Sequence, residues 1–322
     1  MWTDIFYIAI GLVGLVWGGN WLVTGASRLA ESFGIPRLIV GLTIVAFGTS
    51  APELLVNLSS VFNDSTKLAL GNVVGSNIVN IGFILGFAGL IMPIMVQAVL
   101  IRREIPIMIA TAILSFVLSL DGELGMIDGL ILVACFAAFT WLMVTSALKD
   151  KSATTAPDVS EFPQEEVKAI NRGLEAGRLL AGLVILVIGA NFTVTGAINI
   201  AKALNVSELV IGLTLVAVGT SLPELMASLI AAMRKESDIA IGNVVGSNIF
   251  NILLILGSTA TLKPVPVPTS ALQFDFLVMI AFSVVVLPLA WTQRKLARWE
   301  SGLFIVGYVG FVVLTLARSG GA

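Results

Sequence analysis

Two glutamates sit where an apolar chain should exclude them. Glu53 lies in "GTSAPELLV", residues 48–56, and Glu224 in "GTSLPELMA", residues 219–227. A charged group deep in a bilayer is costly and by default marks function. Residues 38–62 and 208–233 contain no Lys or Arg, so each carboxylate must be matched from outside the chain, by a cation or a proton. The neighbours are oxygen donors. Thr49 and Ser50 stand four and three positions before Glu53 and share its helical face; Thr220 and Ser221 do the same for Glu224. Pro52 and Pro223 have no N–H, and each ring clashes with the carbonyl four residues back, those of Gly48 and Gly219. A helix broken at such a point offers backbone oxygens to a cation.

A second layer of oxygens follows each break. The octapeptide "GNVVGSNI" occurs at 71–78 and again at 242–249. Ser76 and Asn80 are four apart and share a face, as do Ser247 and Asn251. Gly71, Gly75, Gly242 and Gly246 let helices approach closely. Two such motifs facing one another would make a cage of hard oxygens. Ca²⁺ takes about six to eight of these at roughly 2.3–2.6 Å, whereas Mg²⁺ sheds its water reluctantly. Na⁺ is equally oxygen-seeking and needs less charge. The chain has no His, which removes His metal ligation and a His proton relay. With no nucleophile–base pair in view, an intramembrane hydrolase has nothing to run on. The single Cys135 lies in an apolar run and reads as packing.

The elements that must hold these residues follow from composition. The chain has 322 residues, 57% of them hydrophobic and 12% charged, against about 25% charged in a soluble domain. Its mean hydropathy is +1.01. Lipid must therefore be part of its solvent. The apolar runs are long and unbroken rather than alternating, which selects helices over a barrel. The pattern predicts an all-α polytopic membrane protein with ten spans, near 5–25, 36–62, 68–92, 105–120, 125–147, 179–201, 208–233, 239–262, 271–291 and 300–317. Residues 1–25 lack a basic leader region and read as the first span. The polar stretch 148–178 reads as a linker.

Shifting the chain by 171 residues aligns its halves without a gap. "GLVGLVWGGNWLVTGA" (11–26) meets "GLVILVIGANFTVTGA" (182–197), and residues 41–86 match 212–257 at 26 of 46 positions. The divisions are a first five-helix repeat at 1–147, the linker at 148–178 and a second five-helix repeat at 179–322. Five is odd, so the second repeat enters from the opposite side, the mark of an inverted-repeat transporter. With both termini outside, fourteen Lys and Arg fall on the inner side and four on the outer. That asymmetry predicts a multi-pass protein of the cell membrane with a cytoplasmic linker. The net charge of −2 gives no basic footprint for nucleic acid, and no segment calls for an obligatory protein partner.

The paired motifs "GTSAPE…GNVVGSNIVN" and "GTSLPE…GNVVGSNIFN" resemble the α-repeats of the cation/Ca²⁺ exchanger superfamily, in particular its Na⁺/Ca²⁺ exchanger branch in prokaryotic form. The resemblance covers nearly the whole chain. It implies that Glu53 and Glu224 are central carboxylates shared by Ca²⁺ and Na⁺. The carbonyls of Ala46 and Ala217, with Thr49 and Thr220, would complete the coordination. Ser50, Ser76, Ser221 and Ser247 would line flanking Na⁺ sites, and Asn80 and Asn251 would face the middle. It also implies alternating access, with the first and sixth helices sliding across a core of eight. The Gly-rich faces of Gly11, Gly14, Gly18 and Gly25, and of Gly182, Gly189 and Gly196, fit that motion. One departure stands out: K⁺-dependent members and several prokaryotic ones carry Asp where this chain has Asn251, which argues against K⁺ co-transport. The acidic residues of H⁺-coupled members are also missing here.

Two carboxylates carry a charge of −2, which one Ca²⁺ neutralises. The three Na⁺ implied by the resemblance would leave +1, so exchange would move one charge per cycle, worth about 2.3 kcal/mol per 100 mV. An inside-negative cell would use that to expel Ca²⁺. Protons compete for the same oxygens, which predicts inhibition by acid. The expected function is Na⁺-for-Ca²⁺ antiport without a cofactor. The alternative is antiport with another coupling or substrate, such as H⁺/Ca²⁺, Li⁺ or Mn²⁺ exchange. A channel fits less well, because inverted repeats gate around one fixed site.

Overall fold

The computed structural model describes residues 2–63, 66–153, 170–204 and 217–319, and these are almost wholly helical. The first half contains α1 (Trp2–Phe33), α2 (Arg37–Thr49), α3 (Ala51–Phe62), α4 (Leu68–Ile91), α5 (Ile105–Leu118) and α6 (Met126–Leu148). The second contains α7 (Arg172–Ala203), α8 (Ala217–Thr220), α9 (Leu222–Met233), α10 (Ser237–Leu262), α11 (Ala271–Arg294) and α12 (Arg298–Arg318). Four two-residue strands join them: β1 (Ile94–Met95), β2 (Glu123–Leu124), β3 (Val265–Pro266) and β4 (Lys295–Leu296).

Among the described residues seven helices are long and apolar enough to cross a membrane, and α2 with α3, bent by 43°, forms an eighth candidate. The expected fourth span is the short α5, entered through a π turn at Leu100–Glu104. The expected seventh begins at 208–216, outside the described residues; its remainder is α8 and α9. Local signals set the boundaries. Gly34, at φ 64°, ends α1, and the Ile35 N–H reaches back 3.0 Å to the Ala30 carbonyl, after which Pro36 opens α2. Asn171 caps α7 by accepting the Leu174 N–H at 3.2 Å. Consequently α7 starts within the polar stretch assigned to the linker.

Polarity runs inside out. Trp17, Leu55, Ile127 and Val306 are exposed, while Glu53, Glu224, Asn57, Asn243 and Asn251 are buried. That is the arrangement lipid demands. The most enclosed helix is α10. It packs against α2 through Gly242 and Gly246: a Cβ at Gly246 would stand 2.6 Å from the Leu42 carbonyl oxygen. The equivalent partners of Gly71 and Gly75 lie outside the described residues.

The glycine faces of α1 and α7 meet each other. A Cβ at Gly18 would lie 2.8 Å from the Gly182 oxygen, and one at Gly182 would lie 2.4 Å from the Leu22 nitrogen. Small residues let two membrane helices lock backbone to backbone in this way. The pair is further tied by Glu175, which accepts from Arg28 at 2.9 Å and from Arg178 at 3.0 Å.

Two acidic residues near the ends of apolar stretches, Glu104 and Glu300, are buried. Glu104 is fully enclosed and pairs with Arg103, whose second contact is Ser146 at 2.7 Å. Glu300 caps the start of α12, accepting the Ala297 N–H and the Thr292 hydroxyl, each at 2.7 Å. Local donors offset the cost at both oxygens of Glu300 and at one oxygen of Glu104.

The irregular features recur at the spacing of the sequence repeat. The break at Ser50 recurs at Ser221, with backbone angles of −81°, 6° and −91°, 8°. π turns open at Asn80 and Asn251, and again at Leu100 and Ala271. The strands pair between halves: β1 runs antiparallel to β4, and β2 to β3. Gln97, two residues beyond β1, donates to Asp238 at the start of α10. β3 follows the far end of that helix, roughly 39 Å away at 1.5 Å per residue. The two ribbons therefore sit at opposite ends of the bundle.

Candidate ion-binding site

Ser50 and Ser221 are the non-helical residues at the two breaks, and Pro52 and Pro223 lie in the first turn of the helices that follow. Proline is well placed there, since its missing N–H would have had no helical partner. Glu53 and Glu224 therefore project from first turns, near the partial positive end of a helix, which favours a carboxylate. Each is 1% exposed.

The two halves interlock at this point. Ser50 donates its hydroxyl to Glu224 Oε1 at 3.0 Å, and Ser221 donates to Glu53 Oε1 at 3.3 Å. Each carboxylate is thus held by the break residue of the opposite half. Among the described residues no Lys or Arg pairs with either one.

The second oxygens are left over. Among the described residues Glu53 Oε2 and Glu224 Oε2 have no hydrogen-bond partner, and the same holds for Asn80 Oδ1, Asn251 Oδ1 and Ser247 Oγ. All five atoms are buried. An unsatisfied buried acceptor costs about 1–3 kcal/mol, more if charged. Such groups in a native structure call for an explanation, an ion among the available ones. Four of these five atoms are pure acceptors, which a cation satisfies and a further carboxylate does not.

The other expected residues divide. Thr49 is fully buried and donates to Asn243 Oδ1 at 3.0 Å, with a longer 3.3 Å contact to the Ala46 carbonyl. That carbonyl also accepts the Ser50 N–H at 3.0 Å, so protein donors already hold it. Ser76 is buried one turn before Asn80, and Thr220 is half-buried. Ala217 opens α8, the short helix before the second break.

Sequence reasoning passed over a set of asparagines that build the site's walls. Asn72 donates to the Glu53 carbonyl at 3.4 Å and to Asn57 Oδ1 at 2.7 Å. Asn243 donates to the Glu224 carbonyl at 3.3 Å and to Ser228 Oγ at 2.9 Å. Asn251 donates to Asn77 Oδ1 at 3.0 Å, and Asn77 donates in turn to the Asn248 carbonyl at 3.3 Å. The signal was present: both asparagines of "GNVVGSNI" recur in each half. The donor end of Asn251 is occupied by the protein, so its oxygen is free to turn towards an ion.

A family model described as sodium/calcium exchanger protein matches residues 3–145 and 175–317. The chain belongs to the sodium/calcium exchanger family. The exchanger is 36% identical over 310 residues to the inner membrane protein YrbG of Escherichia coli (strain K12), covering 95% of this chain and 94% of that one. It is 34% identical to the sodium/calcium exchanger MaX1 of Methanosarcina acetivorans, covering 97% and 98%. Its fold matches a solved structure of the sodium-calcium exchanger NCX_Mj with a TM-score of 0.83 at 32% identity, over 98% of this chain and 99% of that one. The exchanger thus stands among membrane transporters and not among enzymes.

Proposed function

We propose that the chain exchanges Na⁺ for Ca²⁺ across the cell membrane by alternating access around one site. The observation that carries this is the crossed pair of carboxylates with its surplus of acceptors. Glu53 and Glu224 are fastened to opposite halves through one oxygen each, and among the described residues their second oxygens, like the side-chain oxygens of Asn80 and Asn251, are buried without a partner. In this reading Glu53 and Glu224 bind Ca²⁺ with Thr49, Thr220 and the carbonyls of Ala46 and Ala217. Ser50, Ser76, Ser221 and Ser247 serve flanking Na⁺ sites, and Asn80 and Asn251 close the middle.

The names of the similar proteins, MaX1 and NCX_Mj, support the pair of ions. The architecture proposed is ten spans in two inverted repeats, 1–147 and 179–322. The recurring breaks and the two ribbons at opposite ends support inversion. Arg28, Arg37, Arg172, Arg234 and Arg298 are linked by their contacts to one end of the bundle. By the positive-inside rule that end is cytoplasmic and the termini lie outside. Exchange of three Na⁺ for one Ca²⁺ is then electrogenic and drives Ca²⁺ out.

The test is reconstitution in Na⁺-loaded vesicles, reading uptake of radiolabelled Ca²⁺ for the wild type, Glu53→Gln and Glu224→Gln. Uptake should require the outward Na⁺ gradient and disappear in both variants. Normal exchange by either variant would remove the site. Uptake driven by a pH gradient instead would replace Na⁺ coupling with H⁺ coupling.

A further inference from the structure

Most arginines of the chain are occupied. Arg28, Arg37, Arg103 and Arg178 hold carboxylates, and Arg172 and Arg298 hold backbone carbonyls. Arg102 and Arg294 differ: both are exposed, and among the described residues no carboxylate pairs with either. These two line the same cavity, of about 70 Å³, together with Ala98, Ile101 and Trp291. One wall comes from the entry to α5 and the other from the end of α11, so the cavity joins the two halves of the sequence.

The arginine on the second wall is held in an unusual backbone. Gln293 and Arg294 lie at φ 55° and 50°, in the left-handed region that non-glycine residues seldom occupy. The turn persists because its surroundings dictate it. The Arg294 carbonyl accepts the Val96 N–H at 2.9 Å, and the next residue, Lys295, enters the β1–β4 ribbon opposite Met95. Backbone strain over-determined in this way clusters at ligand clamps.

We infer that this cavity binds the phosphate of an anionic phospholipid headgroup. A guanidinium pair matches phosphate oxygens in bidentate fashion. A water needs roughly 10–15 Å³ of such space, so the cavity admits a group several waters in size. The position favours a lipid over a soluble anion. Arg102 stands just before the apolar α5, Arg294 just after the apolar stretch of α11, and Trp291 is 64% exposed between them. Tryptophan at a span end marks headgroup level, and basic pockets between helices on the cytoplasmic side suit anionic headgroups. The inference needs only the membrane reading and stands apart from the identity of the transported ions.

The test uses the full chain in a neutral detergent and follows its thermal unfolding. Dioctanoyl phosphatidylglycerol should raise Tm saturably, while dioctanoyl phosphatidylcholine and inorganic phosphate at equal concentration should not. Arg102→Gln combined with Arg294→Gln should weaken the apparent affinity about 30-fold, the effect expected of two basic groups. Lys295→Gln should keep the wild-type response. If the double variant gives no cooperative transition, the single variants are read, each expected to bind about fivefold more weakly. Wild-type affinity in the double variant, or in both singles, overturns the site. An equal response to phosphatidylcholine overturns it as well, and an equal response to inorganic phosphate overturns the lipid assignment.

Discussion

Ser50 donates a hydrogen bond from its hydroxyl to Glu224, a carboxylate 174 residues further along the chain, across 3.0 Å. The reverse contact, from Ser221 to Glu53, is 3.3 Å. Two helix breaks from distant parts of the sequence thereby become one site, and each half positions the other's charge.

Alanine at either serine should therefore weaken the opposite half. A hydrogen bond to a charged group contributes about 1.5–3 kcal/mol, so Ser50→Ala or Ser221→Ala should raise the Ca²⁺ concentration for half-maximal exchange by roughly tenfold or more. A double-mutant cycle of Ser50→Ala with Glu224→Asp, read in the same flux assay, should return a coupling of about 0.5–3 kcal/mol. Strict additivity would mean that the bond does not operate in the working protein.

Asn243 holds three groups at once: the Glu224 carbonyl, the Ser228 hydroxyl and the Thr49 hydroxyl. Asn243→Leu keeps the approximate volume and removes all three bonds, leaving the Thr49 hydroxyl only its longer contact to the Ala46 carbonyl, at about 1–3 kcal/mol for each buried group left unpaired. Exchange should fall at least tenfold while the protein still unfolds cooperatively. A neutral outcome would reduce Asn243 to packing.

The α1–α7 contact tolerates no added methyl at its tightest points. Gly18→Ala places a carbon 2.7 Å from the Leu186 nitrogen, and overpacking of this kind costs about 1–3 kcal/mol. Thermal unfolding in detergent should shift down by several degrees. Among the described residues no atom lies within 4 Å of a Cβ built at Gly310, so Gly310→Ala should leave Tm unchanged or slightly raised. Equal behaviour of the two variants would show that the helices do not meet as described.

Acid should slow exchange. A proton on Glu53 or Glu224 removes the charge that draws the cation, so Ca²⁺ uptake should decline from about pH 8 to about pH 5. Asn251→Asp adds a third carboxylate beside the pair and should deepen the decline, because more groups then take up protons over that range. A flat profile for both proteins would place the carboxylates off the ion path.

The oxygen donors of the candidate site were legible in the sequence because they depend on residue type and helical spacing. An unpaired Glu inside an apolar run, preceded by Thr-Ser and broken by Pro, occurs twice, and each copy stands in a local context that repeats closely. The reading went astray where an outcome depends on what packs over a residue. Glu104 and Glu300 look solvated by position and are buried by their neighbours. The glycines of the first and sixth expected spans set those two helices against one another, and only the structure gives the closeness of that contact. The asparagines of "GNVVGSNI" look like helix filler, and only their distances to the Glu53 and Glu224 carbonyls reveal the support they supply.

What the sequence determined by itself is local: long apolar helices from hydropathy, breaks from Pro and Gly, candidate oxygen donors in Glu, Thr, Ser and Asn, and a duplicated plan from the 171-residue repeat. These follow because backbone propensity and the cost of charge in lipid act residue by residue. Only the tertiary structure decided that Ser50 answers to Glu224 and Ser221 to Glu53, and that each carboxylate keeps one oxygen in reserve. Those outcomes depend on how two helix breaks, far apart in the chain, cross within hydrogen-bonding distance, and no pattern along a single strand of residues encodes that distance.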